Sequence, residues 1–419
     1  MTWCLLVCVL PACATVLQRP LTGPCVEPDP QVWLAKAAKS LVFAPFSPRG
    51  PIYDQHRRHA VPVHIGPVDP LAQAVISYPF PERFAGGDSG FIDLKRRSFV
   101  YDDALAVVWL TASGDLARAQ GLCFALRALQ LPDGAWGFSF AAQDDGFYNA
   151  GYVRAGTVAW VVYALARYQH ASADRQFVDT LERGLLWLQG QTDARGLVRA
   201  GRGRWIDGDT FDPDFDAHFS ATEHQIDIWF AYAAAGQADP DLAARLQLPA
   251  ASSKLLAALD AHLWLDGSER YAQGINADAR DDTSALDAAG TWAALLDLAR
   301  AKPGRAKAAL AWVQRHHTVQ VGGWQGLRPY MPDPPATWFV EGSLALALGW
   351  WRLGEQETAR QAFAPAVQLA CAGEVPLVYA PDWNVDFPLS PAAAPTLWFL
   401  LTGSELHGGK ALVWTERAH

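Results

Sequence analysis

The chain has 419 residues, of which 51% are hydrophobic and 18% charged, with a formal net charge of -9. That is enough for one large or two ordinary domains with a sizeable core, and the acidic balance excludes nucleic acid as a partner, because phosphate binding needs a basic surface. The 18 Trp are an excess of a residue that fills cores and also stacks on flat apolar faces such as sugar rings.

Residues 1–21 open with MTWCLLVCVLPACATVLQRP. This apolar run is too short to span a bilayer and ends in small residues, so it reads as an export signal, although the basic start is missing. The piece Leu10-Pro11-Ala12-Cys13 has the form of a bacterial lipobox, which predicts a lipid anchor at Cys13 and a place in the periplasm or cell envelope. A start site placed upstream of the true signal, or a buried strand, would give the same pattern. The six Cys contain no C-x-x-C pair, which argues against a cysteine zinc site and a disulfide framework. A Cys123–Cys371 bridge stays open.

Residues 22–97 are rich in Pro and predicted to be largely irregular, wrapped outside the rest of the chain. Two helices are expected there, near Gln31 to Leu41 and near Leu71 to Ser77. From Ser98 the pattern turns regular. Segments that are apolar throughout, such as SFVYDDALAVVWLTASGD and GYVRAGTVAWVVYALARY, alternate with amphipathic ones, such as DLARAQGLCFALRALQ. The anchors Asp102, Thr157, Glu223, Asp287, Glu341 and Thr396 recur at roughly 50 to 65 residues, the mark of an internal repeat. Apolar helices belong inside and amphipathic ones outside. Six such pairs predict an all-α fold, an (α/α)6 toroid over 98–419, with the inner helices parallel and their N-terminal ends at one mouth. No stretch after the first is long and apolar enough to be a transmembrane helix.

The segment FSATEHQIDIWFAYAAAG is the sharpest of these switches from polar to apolar. Ser220 or Thr222 is expected to cap it, and Gly236 to end it. It brings Glu223, His224 and Asp227 to the mouth. Glu223, Asp102 and Glu341 each fall in the first turn of an inner helix, where the dipole favours a carboxylate. The ordinary reading makes them dipole partners; the functional one makes them catalytic carboxyls. Asp103 could equally serve in place of Asp102, and Asp227, deeper in its helix, needs a buried partner. The loops at this end carry Trp136, Trp205, Trp324, Trp338 and Trp383 with Arg154, Arg202, Arg204, Arg280 and Arg328. Aromatic plates interleaved with Arg suit a sugar chain. Asp103, His224, Asp227, Trp136, Trp205, Trp338 and Arg154 are therefore the expected substrate-binding residues. His316 and His317 are expected at the surface of an outer helix. No helix sets two His at metal-ligand spacing, so neither a metal nor a cofactor is predicted. There is no G-x-S-x-G, dinucleotide fingerprint or phosphate loop.

With these residues in place, the chain resembles the six-hairpin (α/α)6 toroid superfamily of glycoside hydrolases, unsaturated-glucuronyl hydrolases, polysaccharide lyases and sugar 2-epimerases. YDDALA, TEHQID, WFVEGS and PTLWFL are also similar to motifs of an uncharacterised bacterial envelope family, nearer YDNAL, STEHNID and W-x-EGTAQ there. The likeness spans about Ser98 to Gly403, with Asp103, Gln225 and Ser343 as departures from it. It implies a glycoside hydrolase acting on an oligo- or polysaccharide through paired carboxylates, with a lyase or epimerase as close variants. A non-catalytic glycan-binding or envelope assembly protein is the alternative, and a monomer is expected. The loop from Gln130 to Trp136 is similar to the Gln/Trp repeat of terpene cyclases. It occurs once, and Asp278 to Thr283 has the wrong spacing for their acidic motif.

Overall fold

The computed structural model of the protein describes residues 29–48, 50–54, 62–79, 96–143, 146–206, 211–276, 279–281, 283–321, 323–331, 337–371, 375–376, 378–379 and 391–418. These residues are mostly helical, as the alternation predicts. The helices are α1 (Pro30–Ser40), α2 (Val100–Ser113), α3 (Leu116–Leu129), α4 (Ala155–Ser172), α5 (Val178–Gly190), α6 (Thr222–Ala238), α7 (Pro240–Arg245), α8 (Leu248–His262), α9 (Trp292–Ala299), α10 (Pro303–His316), α11 (Val340–Arg352), α12 (Gln356–Cys371) and α13 (Ala393–Leu406). A π-helical turn, Asp287–Thr291, leads into α9.

Helices α2, α4, α6, α9, α11 and α13 are buried on nearly every face. Each packs against the next, and α13 packs against α2, so their contacts form a closed cycle. A second helix covers each one: α3 on α2, α5 on α4, α8 on α6, α10 on α9 and α12 on α11. The partner of α13 is α1, where Trp33 packs against Phe363 and Phe399. The Pro-rich segment thus supplies one of the six covering helices. Its expected second helix is an extended strand instead, Gln73–Val75, paired with Phe43–Pro45. The Val75 N–H is held by the Asp103 carboxylate at 2.7 Å, a bond that a helical turn would have used internally.

Short strands feed the inner helices. Arg97–Phe99, Val153–Arg154, Ser220–Ala221, Ser284–Ala285 and Trp338–Phe339 each run directly into one, and each pairs with a neighbouring strand in a small sheet. The all-α expectation passed over them because two or three residues carry no alternation to read. They also change how the helices begin. Ala221 is the N-cap of α6, with no side-chain cap bond. Ser220 is held in the strand, and the Thr222 hydroxyl donates to the Ala272 carbonyl at 2.6 Å. The helix runs two residues past Gly236. Extended entry, rather than side-chain capping, sets the direction of the first turns.

One open question is settled and one expectation is corrected. Cys371 is disulfide-bonded and Cys123 is a free, buried thiol, so the two do not pair. His317 is fully buried. Its Nδ1–H donates to the Arg328 carbonyl and its Nε2 accepts from the Ser284 hydroxyl, both at 2.9 Å. Burial lowers its pKa to about 4 against the opposing Arg328 carbonyl bond, with the charges of Arg328, Arg270 and His316 adding to the fall, so it is neutral.

Candidate functional site

The extended entries bring the first turns of the inner helices to one end. Five carboxyls gather there: Asp102 on α2, Glu223 and Asp227 on α6, Asp287 on the π-helical turn and Glu341 on α11. They are close enough to disturb one another's protonation. Among the described residues no Lys or Arg forms an ion pair with any of them. The ion pairs near the helix ends lie elsewhere, as in Arg352 with Glu405 and Arg300 with Asp260. With no cation paired to them, burial decides the protonation of these acids.

Glu223 is half-buried and has no hydrogen-bond partner among the described residues. Burial, and then the Asp287 charge, push its carboxyl well above the ordinary glutamate value. Burial raises Asp287 as well, against one hydrogen bond at 3.1 Å from the Thr291 hydroxyl. Two like charges in one partly desolvated space cannot both ionise cheaply, so the pair tends to hold one proton. Asp102 is raised from 3.8 to about 7 by burial, with the Ser77 hydroxyl opposing.

Glu341 is 6% exposed. The Tyr101 hydroxyl donates to its Oε1 at 2.6 Å and accepts from the Trp398 indole N–H at 2.8 Å. Burial raises this carboxyl, the Tyr101 bond opposes the rise, and Asp287, Asp102 and Glu223 add to it. Asp227 is 2% exposed, and its Oδ1 has no hydrogen-bond partner among the described residues. Burial, then Glu223 and Asp287, keep it protonated.

The other expected residues fall into two groups. At the mouth, His224 is half-buried with an unpartnered, buried Nδ1. Burial and the nearby Arg154 lower its pKa to about 3, so it is neutral. Arg154 lies over the Tyr152 ring at 3.9 Å and donates to the carbonyls of Val153, Arg202 and Gly203. Trp205 is half-buried on the hairpin Gly201–Trp205/Phe211–Ala217, against Phe211. Away from the mouth solvent, Asp103 is fully buried, bound by the Val75 N–H and the Ser98 hydroxyl, each at 2.7 Å. Trp136 is fully buried and donates to the Leu126 carbonyl, and Trp338 is 1% exposed and donates to the Ser343 hydroxyl. These three side chains hold the scaffold and show no free face. Trp383 lies outside the described residues.

Sequence reasoning passed over Asp287, Tyr101, Trp398 and the pair Ser77 and Tyr78. Asp287 was visible as a repeat anchor, and Tyr101 as the neighbour of Asp102. Ser77 and Tyr78 come from the Pro-rich segment, where no pattern marks them. Tyr78 is half-buried, and the burial and the charges of Asp102 and Glu341 push its phenol up. Among the described residues no group of three or more His, Cys, Asp or Glu is placed to hold a metal ion. What the cluster can do is give and take protons and accept hydrogen bonds from hydroxyls.

No protein-family model matches the chain, and no curated protein matches it. Solved structures do. A wild-type glycosidase aligns with a TM-score of 0.55 at 12% identity over 80% of this chain and 91% of its own. A D-mannose isomerase aligns with a TM-score of 0.58 at 11% identity over 90% and 97%. A family 76 glycoside hydrolase from a bovine Bacteroides thetaiotaomicron strain gives 0.55 at 8% identity over 91% and 78%. At these identities the likeness is one of fold: the chain shares its architecture with a group of sugar-processing enzymes.

Proposed function

We propose that the protein is a carbohydrate-active enzyme, a glycoside hydrolase acting on an oligo- or polysaccharide, built as an (α/α)6 toroid with its site where the inner helices begin. The reading is carried by the pair Glu223 and Asp287, two carboxyls on different inner elements, both raised by burial, with the Asp287 charge raising Glu223 further and no cation paired with either. Glycoside hydrolysis needs one carboxyl protonated at working pH and a second one ionised. A pair sharing one proton meets that need near neutrality. Glu223, free of hydrogen bonds, is the general acid, and Asp287, steadied by Thr291, is its ionised counterpart. Asp102, Glu341 and His224 receive sugar hydroxyls beside them, and Trp205 and Arg154 line the approach.

An isomerase or epimerase needs the same kind of pair, one group removing a proton and one returning it. The D-mannose isomerase likeness, which extends over 90% of this chain, favours that as the second reading. The deciding assay incubates the purified protein with a panel of bacterial and plant saccharides. It follows both the release of reducing ends and aldose–ketose interconversion. Glu223→Gln and Asp287→Asn are each expected to lower turnover by roughly 10² to 10⁴, with binding retained. Turnover surviving both substitutions would move the site elsewhere, and sugar binding without turnover would make the protein a glycan-binding one.

We also propose that the protein is exported to the bacterial envelope and lipid-anchored at Cys13. The disulfide at Cys371 fits an oxidising compartment. Fractionation of cells expressing wild type and Cys13→Ser tests this, and a cytoplasmic product with an intact N-terminus overturns it.

A further inference from the structure

The segment after α13 crosses the end of the helix cycle opposite the carboxyls. Trp414 is 1% exposed. Its ring stacks on Phe230 of α6 at 4.7 Å and 5°, and meets Trp160 of α4, Trp292 of α9 and Trp398 of α13 at 5.2, 5.1 and 5.7 Å. The backbone around it is clamped. Arg352 of α11 donates to the carbonyls of Val413 and Trp414, and the Trp414 N–H donates to the Tyr163 hydroxyl at 2.7 Å. Arg167 of α4 pairs at 3.0 Å with the Glu416 carboxylate, which is fully buried. The Ala418 N–H donates to the carbonyl of Ala299 in α9. One short segment therefore touches five of the six inner helices.

Two of the rings it meets also face the carboxyl cluster. Trp160 borders Asp227 and Tyr101. Trp398 donates its indole N–H to the Tyr101 hydroxyl, whose own proton goes to Glu341. An indole N–H points in one direction only, so the ring must be held from its far side to keep that donor on the phenol. Trp292 stacks on Trp398 at 5.7 Å, and Trp414 and Trp160 meet the same ring in T-shaped contacts at 5.7 and 6.1 Å.

We propose that residues 411–418 support the mouth from the opposite end of the helix cycle: Trp414 is a positioning residue that holds the Trp398 indole, which holds the Tyr101 hydroxyl, which sets the orientation and proton affinity of Glu341. The chain of contact is Trp414, Trp398, Tyr101, Glu341. It deepens the functional reading in that it rests on Glu341 belonging to the site, but it is tested on the proton of Glu341 and needs no substrate. The other groups facing that carboxyl are Asp102 and Tyr78 from the α2 side, Glu223 and Asp227 on α6, and Asp287 on the π-helical turn. None of these groups is itself replaced in the variants at Tyr101, Trp398 and Trp414.

The experiment is an infrared titration of the carboxyl stretch in protein carrying ¹³C-labelled Glu, with Glu341→Gln to assign the band. A hydrogen bond to the ionised form favours it, so Tyr101→Phe should move the Glu341 midpoint upward by about one pH unit or more. Trp398→Phe and Trp414→Leu should move it in the same direction by a smaller amount, and Trp414→Phe, which restores an aromatic edge, should return it toward wild type. Trp414→Leu is chosen over Ala because it leaves a smaller cavity, and circular dichroism checks its fold. A shift in Tyr101→Phe with none in folded Trp414→Leu would overturn the role of the segment. No shift in Tyr101→Phe would overturn the whole chain. Either result leaves the Glu223–Asp287 reading standing.

Discussion

At the scale of single residues, the site depends on acids kept close together without cations. Glu223 owes its raised proton affinity to burial first and to Asp287 second. Asp287→Asn removes the second cause only. The Glu223 carboxyl should then titrate at lower pH. In a profile of activity against pH, the basic limb, where the acid loses its proton, should move toward acid, while Thr291→Val should move it little. A basic limb that stays in place in Asp287→Asn would separate the two carboxyls. Glu223 was legible in the sequence because a charge with no capping task opened an apolar helix. Tyr101 was not: its meaning lies in a hydrogen bond to Glu341, 240 positions away, and nothing local distinguishes such a phenol from an ordinary core tyrosine.

At the scale of elements, helices of three to five turns were legible because an apolar-all-round stretch beside an amphipathic one has few other uses. The strands that feed them were hidden by their length, and α1 by the prolines around it. Where α4 and α6 meet, the contact turns on Gly156. A Cβ there would lie 2.6 Å from His224 Cδ2 and 2.9 Å from Asp227 Oδ2. Both neighbours are confined at the mouth, so neither can step aside freely. Gly156→Ala should cost about 1 to 3 kcal/mol through overpacking and displace His224 and Asp227 from their present positions. Gly304→Ala in α10 is the matched control, since nothing lies within 4 Å of a Cβ there. It should gain up to about 1 kcal/mol from helix propensity. Urea denaturation of the two variants checks the contrast; equal stability would show that α4 and α6 are less tightly apposed than the structure has them.

At the scale of the whole molecule, the mouth and the buried histidines pull stability in opposite directions with pH. Asp102 binds its proton up to about pH 7 in the folded chain against 3.8 ordinarily. Its contribution is full below the ordinary value and is lost as pH rises through about 7. Glu223, Asp287, Asp227 and Glu341 are raised as well and act with the same sign. His224, lowered to about 3, and His317, lowered to about 4, have the reverse effect. Their neutral forms are favoured by folding, so their contribution grows as pH climbs to the ordinary 6.5 and is complete above it. Below 6.5 the two sets offset each other, and above it the carboxyls act alone. The melting temperature should therefore fall between about pH 6.5 and about 8, each titrating carboxyl contributing up to about 1.4 kcal/mol per pH unit. Asp102→Asn keeps the shape and removes one such group, so its melting temperature should fall less steeply over the same range. Calorimetry at fixed ionic strength reads both slopes. A wild-type melting temperature that is flat or rising there would mean that the mouth carboxyls are ionised in the folded protein, and the shared proton of Glu223 and Asp287 would go with it.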